Sequence, residues 1–133
     1  MRPLLDTNIV SELMRPRPDV RVKRWAEGQE GFHLSVIAYE EIVFGLSWQS
    51  RPAKSAWFES FLRRHCILLP VTAEIARLAG EVRGRLASAG QVRHQADLLI
   101  AATARVRNLP LATRNTTDFS DCGIEVINPF KAA

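Results

Sequence analysis

Four carboxylates stand out because of the residues around them. Asp6 ends the first apolar run of MRPLLDTNIVSEL, ahead of two small polar residues and the helically spaced Ile9, Val10 and Leu13. Glu41 sits within SVIAYEEIVFGL, four positions after Ile37 and therefore on the same helical face, which should look inward. Asp97 falls in HQADLLIAATA, in the first turn of a helix, where the macrodipole favours its ionised form. Asp118 belongs to the polar stretch RNTTDFSDCG. Singly, each has an ordinary explanation: Asp6 as a helix cap, Asp97 as a first-turn acid, Glu41 as a solvated helix charge, Asp118 as a turn residue. Together they fall at strand ends or on faces expected to turn inward, and converging buried carboxylates must be paired or coordinate a metal.

The sequence offers no obvious partner for them. No Lys or Arg lies near Asp6 or Glu41 on the same expected face, and His33, His65 and His94 form no metal-binding pair. A divalent cation is then the simplest counter-charge, and an all-oxygen donor set suits magnesium or manganese. Such ions stabilise phosphoryl oxygens and make a bound water acidic enough to attack in line. No Ser or Cys is paired with a His in an activating motif, so a covalent nucleophile is not indicated. The balance of 18 Lys and Arg against 14 Asp and Glu, a formal charge of +4, favours a polyanionic partner such as RNA or DNA, although a solvated Arg-rich surface gives the same sum. Arg15, Arg17, Arg51, Arg93 and Arg114 are candidates for phosphate contacts, and spacing does not rank them.

The elements that must position these groups alternate between strand and helix. RPLLD (2–6) reads as a strand feeding a helix over about 8–15, stopped by the R-P-R-P of 15–18. Asp19 caps a second helix through about Glu27, FHLSV (32–36) is a second strand, and Ser35 caps a helix over about 37–48. Pro52 suits the first turn of a helix ending near His65, and CILLPV (66–71) is a short strand. Thr72 caps a long helix with the stripe Ile75, Ala79, Val82 and Leu86, which is either core or a dimer seam, and Gly90 ends it. A helix over about 95–106, rich in small residues that imply tight packing, leads to LPLAT (109–113), the polar loop and a last strand, IEVIN. Strands separated by helices imply parallel crossovers, hence a central, mostly parallel sheet with helices on both faces. Ligand sites in such sheets lie beyond the carboxyl ends of strands, where Asp6, Asn115 and Asp118 fall.

At 133 residues the chain makes one domain with one site. No run approaches the roughly 18 apolar residues of a membrane helix, and the polar DTN interrupts the N-terminus before a signal peptide forms, so a cytosolic protein is expected. Cys66 and Cys122 show no C-x-x-C spacing and read as reduced structural thiols.

These motifs resemble the PIN-domain ribonucleases of the VapC/FitB toxin type, in order and along essentially the whole chain: LLDTNIVSEL, LSVIAYEEIVFGL, ADLLIAATA, LATRNTTDF and VINPF. The resemblance implies a PIN-like three-layer α/β/α sandwich, acids around magnesium or manganese, and cleavage of single-stranded RNA. It also implies a homodimer, inhibition by a small cognate antitoxin, and operator DNA contacted through that antitoxin. Carried over by position, the metal-binding catalytic acids are Asp6, Glu41, whose E-x-x-x-G spacing reaches Gly45, and Asp97. Asp118 is the fourth, and some relatives have an acid where this chain has Asn115. Thr7, Asn8, Thr113 and Asn115 would orient these ligands, a role shared with capping and turn formation. Trp25 and Phe119 are read as packing residues rather than RNA-stacking ones, while Trp48 and Trp57 are candidates for a dimer seam or the antitoxin groove. Two other classes compete. A receiver-like magnesium-binding domain would need an acidic pair after the first strand and a Lys after a late one, and neither is present. A non-catalytic nucleic-acid or protein binding module on the same fold would be marked by loss of an acid.

Overall fold

The computed structural model describes residues 2–131, and its framework is a five-stranded, all-parallel sheet in the order β3-β2-β1-β4-β5. The strands are β1 (Leu4–Leu5), β2 (Phe32–Ser35), β3 (Cys66–Leu69), β4 (Leu111–Ala112) and β5 (Val126–Ile127). The helices are α1 (Thr7–Leu13), α2 (Val20–Glu27), α3 (Val36–Trp48), α4 (Pro52–His65), α5 (Ala73–Ser88) and α6 (Gln95–Arg107). The chain steps outward from β1 through β2 to β3, then returns past β1 to β4. With right-handed crossovers, that reversal puts α5 and α6 on the opposite face from the first helices, which completes the α/β/α sandwich.

The ends of the elements follow from local chemistry. Helix α1 stops at Leu13, two residues sooner than the apolar pattern predicts, because Arg15 precedes Pro16 and is pushed out of helical geometry. Strand β4 is shorter than LPLAT for two reasons. Leu109 N–H is used to close α6 on Ala104 O (2.8 Å), after Asn108 turns left-handed (φ 55°), and Pro110 has no N–H to give. The side chains of Asp19, Ser35 and Thr72 accept the first-turn N–H groups of α2, α3 and α5, as their positions predict. The polar loop after β4 contains a 3-10 turn, Thr116–Phe119, that periodicity did not reveal.

The small residues of α6 are explained by burial on two sides. Ile100, Ala101 and Ala104 join the main core with Leu4, Leu34, Leu111 and Phe58, while Leu98 and Ala102 face a second cluster with Ile75 and Ala79. The stripe on α5 is therefore core at Ile75 and Ala79, and only half-buried at Val82 and Leu86. Phe119 is buried and Trp25 packs on Phe32 (centroids 5.9 Å apart), so both are packing residues as expected. Trp48 stands out to solvent, whereas Trp57 stacks on Phe61 at 4.8 Å. Both cysteines are free, and burial pushes the Cys66 thiol up to about 12, which keeps it unreactive. Among the described residues no helix is long and apolar enough to cross a membrane.

Because Ile75 is the bulkiest fully buried side chain of the cluster between α5 and α6, Ile75→Ala is expected to cost about 2–5 kcal/mol. Urea unfolding would show this as a lower midpoint at unchanged slope.

Candidate active site

The reversal of chain direction beside β1 opens a crevice at the carboxyl ends of β1 and β4, the place where open parallel sheets bind ligands. Asp6 follows β1 directly and is only 5% exposed. Its N–H continues the ladder onto Ala112 O (2.9 Å), and its side chain caps α1 by accepting Thr7 N–H at Oδ1 (2.8 Å). The other oxygen, Oδ2, accepts the hydroxyl of Thr113 (2.8 Å) and the amide of Asn8 (3.3 Å). Asn8 Oδ1 in turn accepts Arg114 N–H (3.2 Å), and Thr113 Oγ1 accepts Asn115 N–H (3.1 Å). Capping and orientation are thus combined in one residue, and the polar quartet of Thr7, Asn8, Thr113 and Asn115 forms a connected lattice around it.

Glu41 departs from expectation. It is exposed, because the inward face of α3 runs through Ala38 and Ile42, and at 100° per residue Glu41 lies to one side of it. It still turns toward the crevice, where Thr7 Oγ1 donates to its Oε1 (2.8 Å). Asp97 is half-buried in the first turn of α6. Asp6, Glu41, Asp97 and Asn115 line one cavity of about 480 Å³. Asp118 does not. It is exposed on the 3-10 turn beyond, where Arg93 donates to its backbone carbonyl, and it reaches the cavity through its charge alone.

Electrostatics ties the group together. Burial pushes the Asp6 carboxyl above its usual range, against the hydrogen bonds from Thr113, Thr7 and Asn8, and the charge of Asp118 adds to the rise. Burial also raises Asp97, followed by repulsion from Asp6 and Glu41, with Asp118 adding and His94 opposing. Carboxylates arranged this way are favoured either protonated or beside a cation. Among the described residues no three acidic, His or Cys side chains already enclose an ion-sized space. Magnesium does not require that, since it keeps several waters and takes one or two carboxylates. The donor set, all oxygen and mutually repelling, fits such an ion.

Among the cavity residues that were not singled out as part of this acidic site, Glu12, Arg15 and Arg114 are charged. Glu12 is buried because it accepts Asp19 N–H (2.8 Å) and meets Arg15 at 3.3 Å, tying the α1–α2 loop to the wall. Arg15 and Arg114 bring positive charge to the same cavity. Glu12 lies four positions after Asn8 and three before Arg15, spacing that places all three on one helical side, so the signal was present. Arg114, like Arg15, was already a candidate for phosphate contact, but only the fold places it in this cavity.

Residues 4–124 match the family model described as PIN domain. The chain belongs to the PIN-domain family. It is 32% identical to a VapC ribonuclease, Y4jK, of Sinorhizobium fredii, covering 98% of this chain and 99% of the relative. It is 31% identical to the toxin FitB of Neisseria gonorrhoeae, over 96% and 97% respectively. Among solved structures, VapBC2 of Rickettsia felis, bound to a DNA fragment from its promoter, superposes with a TM-score of 0.84 at 25% identity, covering 96% of this chain and 98% of that one. The PIN fold and the VapC/FitB likeness read from the motifs are both upheld.

An acid whose pKa is raised by folding is favoured neutral in the folded state. The stability this gives is present below the unfolded pKa and lost as pH rises through the folded one. With chelator present, Asp97→Asn is therefore expected to melt above the wild type at pH 7 and level with it near pH 3. Thermal melts at both pH values check this, and a variant less stable at pH 7 contradicts it.

Proposed function

We propose that this PIN-domain chain is a divalent-metal-dependent endoribonuclease, the toxin of a type II toxin–antitoxin pair, acting as a single catalytic domain in the cytoplasm. The observation that carries the reading is the convergence of Asp6, Glu41 and Asp97 on one open cavity at the sheet's switch point, with Arg15 and Arg114 on its wall. The likeness to a named VapC ribonuclease along nearly the full chain supports it.

Asp6, Glu41 and Asp97 would hold a magnesium or manganese ion, with Asp118 adding negative charge from the rim. When bound, the ion supplies charge stabilisation at phosphoryl oxygens and a more acidic water. The chain's own residues provide the geometry. Thr113 and Asn8 fix Oδ2 of Asp6, and the Thr7 N–H fixes its Oδ1, so its carboxyl plane does not swing. Thr7 also tethers the otherwise exposed Glu41, drawing a solvent-side carboxylate back over the cavity. Asn115 offers a neutral amide where an acid would add charge. Arg114 grips a phosphate oxygen of the substrate, with Arg15, ion-paired to Glu12, beside it, which positions the strand without selecting its sequence. No Ser or Cys lines this cavity in company with a His, which agrees with attack by water.

The antitoxin reading has its own place in the fold. A largely apolar groove of about 1030 Å³ runs between the α1–α2 region and α4, lined by Leu13, Met14, Phe32, Trp57 and Phe61. Apolar grooves of this kind take the apolar face of a partner helix. We assign it to the antitoxin, through which the complex reads operator DNA, and we expect the toxin itself to be a homodimer. The VapBC2 assembly on promoter DNA is the structural precedent.

The purified chain should cleave RNA with magnesium or manganese and not with chelator, and Asp6→Asn, Glu41→Gln and Asp97→Asn should each lower kcat by orders of magnitude while folding normally. Thr113→Val, which keeps every carboxylate, should weaken metal affinity or activity about 10–100-fold. Wild-type-like cleavage by the carboxylate variants would refute the site. Ala53→Arg, at an exposed position on the groove, should prevent antitoxin co-purification and leave cleavage unchanged.

A further inference from the structure

Beside the carboxylate cavity lies a second hollow of about 630 Å³, and the two share Glu12, Arg15, Arg114, Asn115 and Phe130 in their walls. Its cations are Arg15, Arg17, Arg21, Arg114 and Lys131, set against the two acids Glu12 and Asp19. Those acids are already occupied: Glu12 meets Arg15 at 3.3 Å and Asp19 meets Arg21 at 3.1 Å. Arg17, Arg114 and Lys131 therefore keep their charge without a carboxylate partner among the described residues, and this one trough holds most of the chain's formal excess of +4. The remaining wall is polar, supplied by Thr116, Thr117 and Asn128. Arg114 marks the junction, its guanidinium lying 4.6 Å over the ring of Phe130, which holds the charge at the boundary between trough and cavity.

We infer that this trough binds the sugar–phosphate backbone of single-stranded RNA on one side of the phosphate being cleaved, with Arg17, Arg114 and Lys131 as the phosphate contacts. The inference rests on the ribonuclease reading for the identity of the polyanion. Three features select a nucleic-acid strand over an acidic protein segment. The trough opens directly into the cavity where the phosphodiester must sit. Its wall is polar, while the apolar surface a protein segment needs lies in the separate groove. And Arg forks with neutral hydroxyl and amide donors suit phosphate and ribose. The structure thereby separates the arginines that spacing left equal: Arg15, Arg17 and Arg114 border the track, Arg93 is engaged with Asp118 and Asp121, and Arg51 lies outside the track, between the apolar groove and a smaller hollow beside Glu41.

The test is the double variant Arg17→Gln/Lys131→Gln, two exposed residues that do not line the carboxylate cavity. Binding of a labelled single-stranded RNA is followed by fluorescence anisotropy over a salt series, in chelator so that no cleavage intervenes. Turnover of RNA and of bis(p-nitrophenyl) phosphate, which has a phosphodiester but no strand to fill the trough, is then measured with metal. Losing two single-strand phosphate contacts should reduce the slope of log K against log salt by about 1.4 and weaken binding about tenfold at 0.2 M salt. KM for RNA should rise in step, with kcat for RNA and turnover of the small diester unchanged. An unchanged slope and KM overturn the track, as does a variant that loses antitoxin affinity and keeps RNA affinity. RNA binding with the expected slope in a wild type that never cuts would keep the track and refute the ribonuclease reading. Cutting that ignores the two residues would do the reverse, and a chain that neither binds nor cuts RNA refutes both.

Discussion

The structure turns on a single carboxylate carried into the interior. Asp6 must be buried because it sits where a central strand ends, yet it must keep its charge to hold the cation we propose for it. Its hydrogen bonds from Thr7, Asn8 and Thr113 only partly offset the cost of burial, so its pKa still sits above the usual range. Around that residue the other choices fall into order. The backbone of Asp6 joins β1 to β4, its side chain starts α1, and its residual need for positive charge sets what the cavity will attract.

Charge in this molecule is sorted by distance from that point. The innermost layer is negative and self-repelling, which destabilises the free protein and favours a cation. The next is neutral and hydrogen-bonded. Beyond it lies the positive trough, where two acids hold down two arginines and leave three cations facing outward. A basic pI near 9.7 states the average and hides this order. Under the function we propose, a polyanion drawn by the outer layer is led to a place where its phosphates would be repelled without a metal ion between them, so binding and metal dependence would come from the same gradient.

Much of this was legible in the sequence, and the reasons differ by residue. Strand and helix order came from apolar runs of short and long period, and Asp19, Ser35, Thr72 and Pro52 marked helix starts because capping is local chemistry. Asp6 and Asp97 were legible for the same reason: a carboxylate at a strand end or in a helix's first turn announces its environment within a few residues. Glu41 was found for a partly wrong reason, since Ile37 suggested an inward face that in fact runs through Ala38 and Ile42. The convergence of Arg15 and Arg114 and the exposure of Asp118 depend on how loops lie after the sheet has formed, and no short-range pattern encodes that.

The bond from Thr113 to Asp6 spans 107 positions of sequence, between two strands that are each only two residues long. Neither strand can stand alone, and the second follows the first by more than a hundred positions, so the polar lattice around Asp6 cannot close until both have been made. A chain still on the ribosome and not yet made as far as β4, or a fragment cut before it, has the first acid with Thr7 and Asn8 but without Thr113, the third of the groups that orient it. For a protein whose activity we propose to be harmful to its own cell, this is a topological delay: 107 positions must be made after the first carboxylate before the site can be finished.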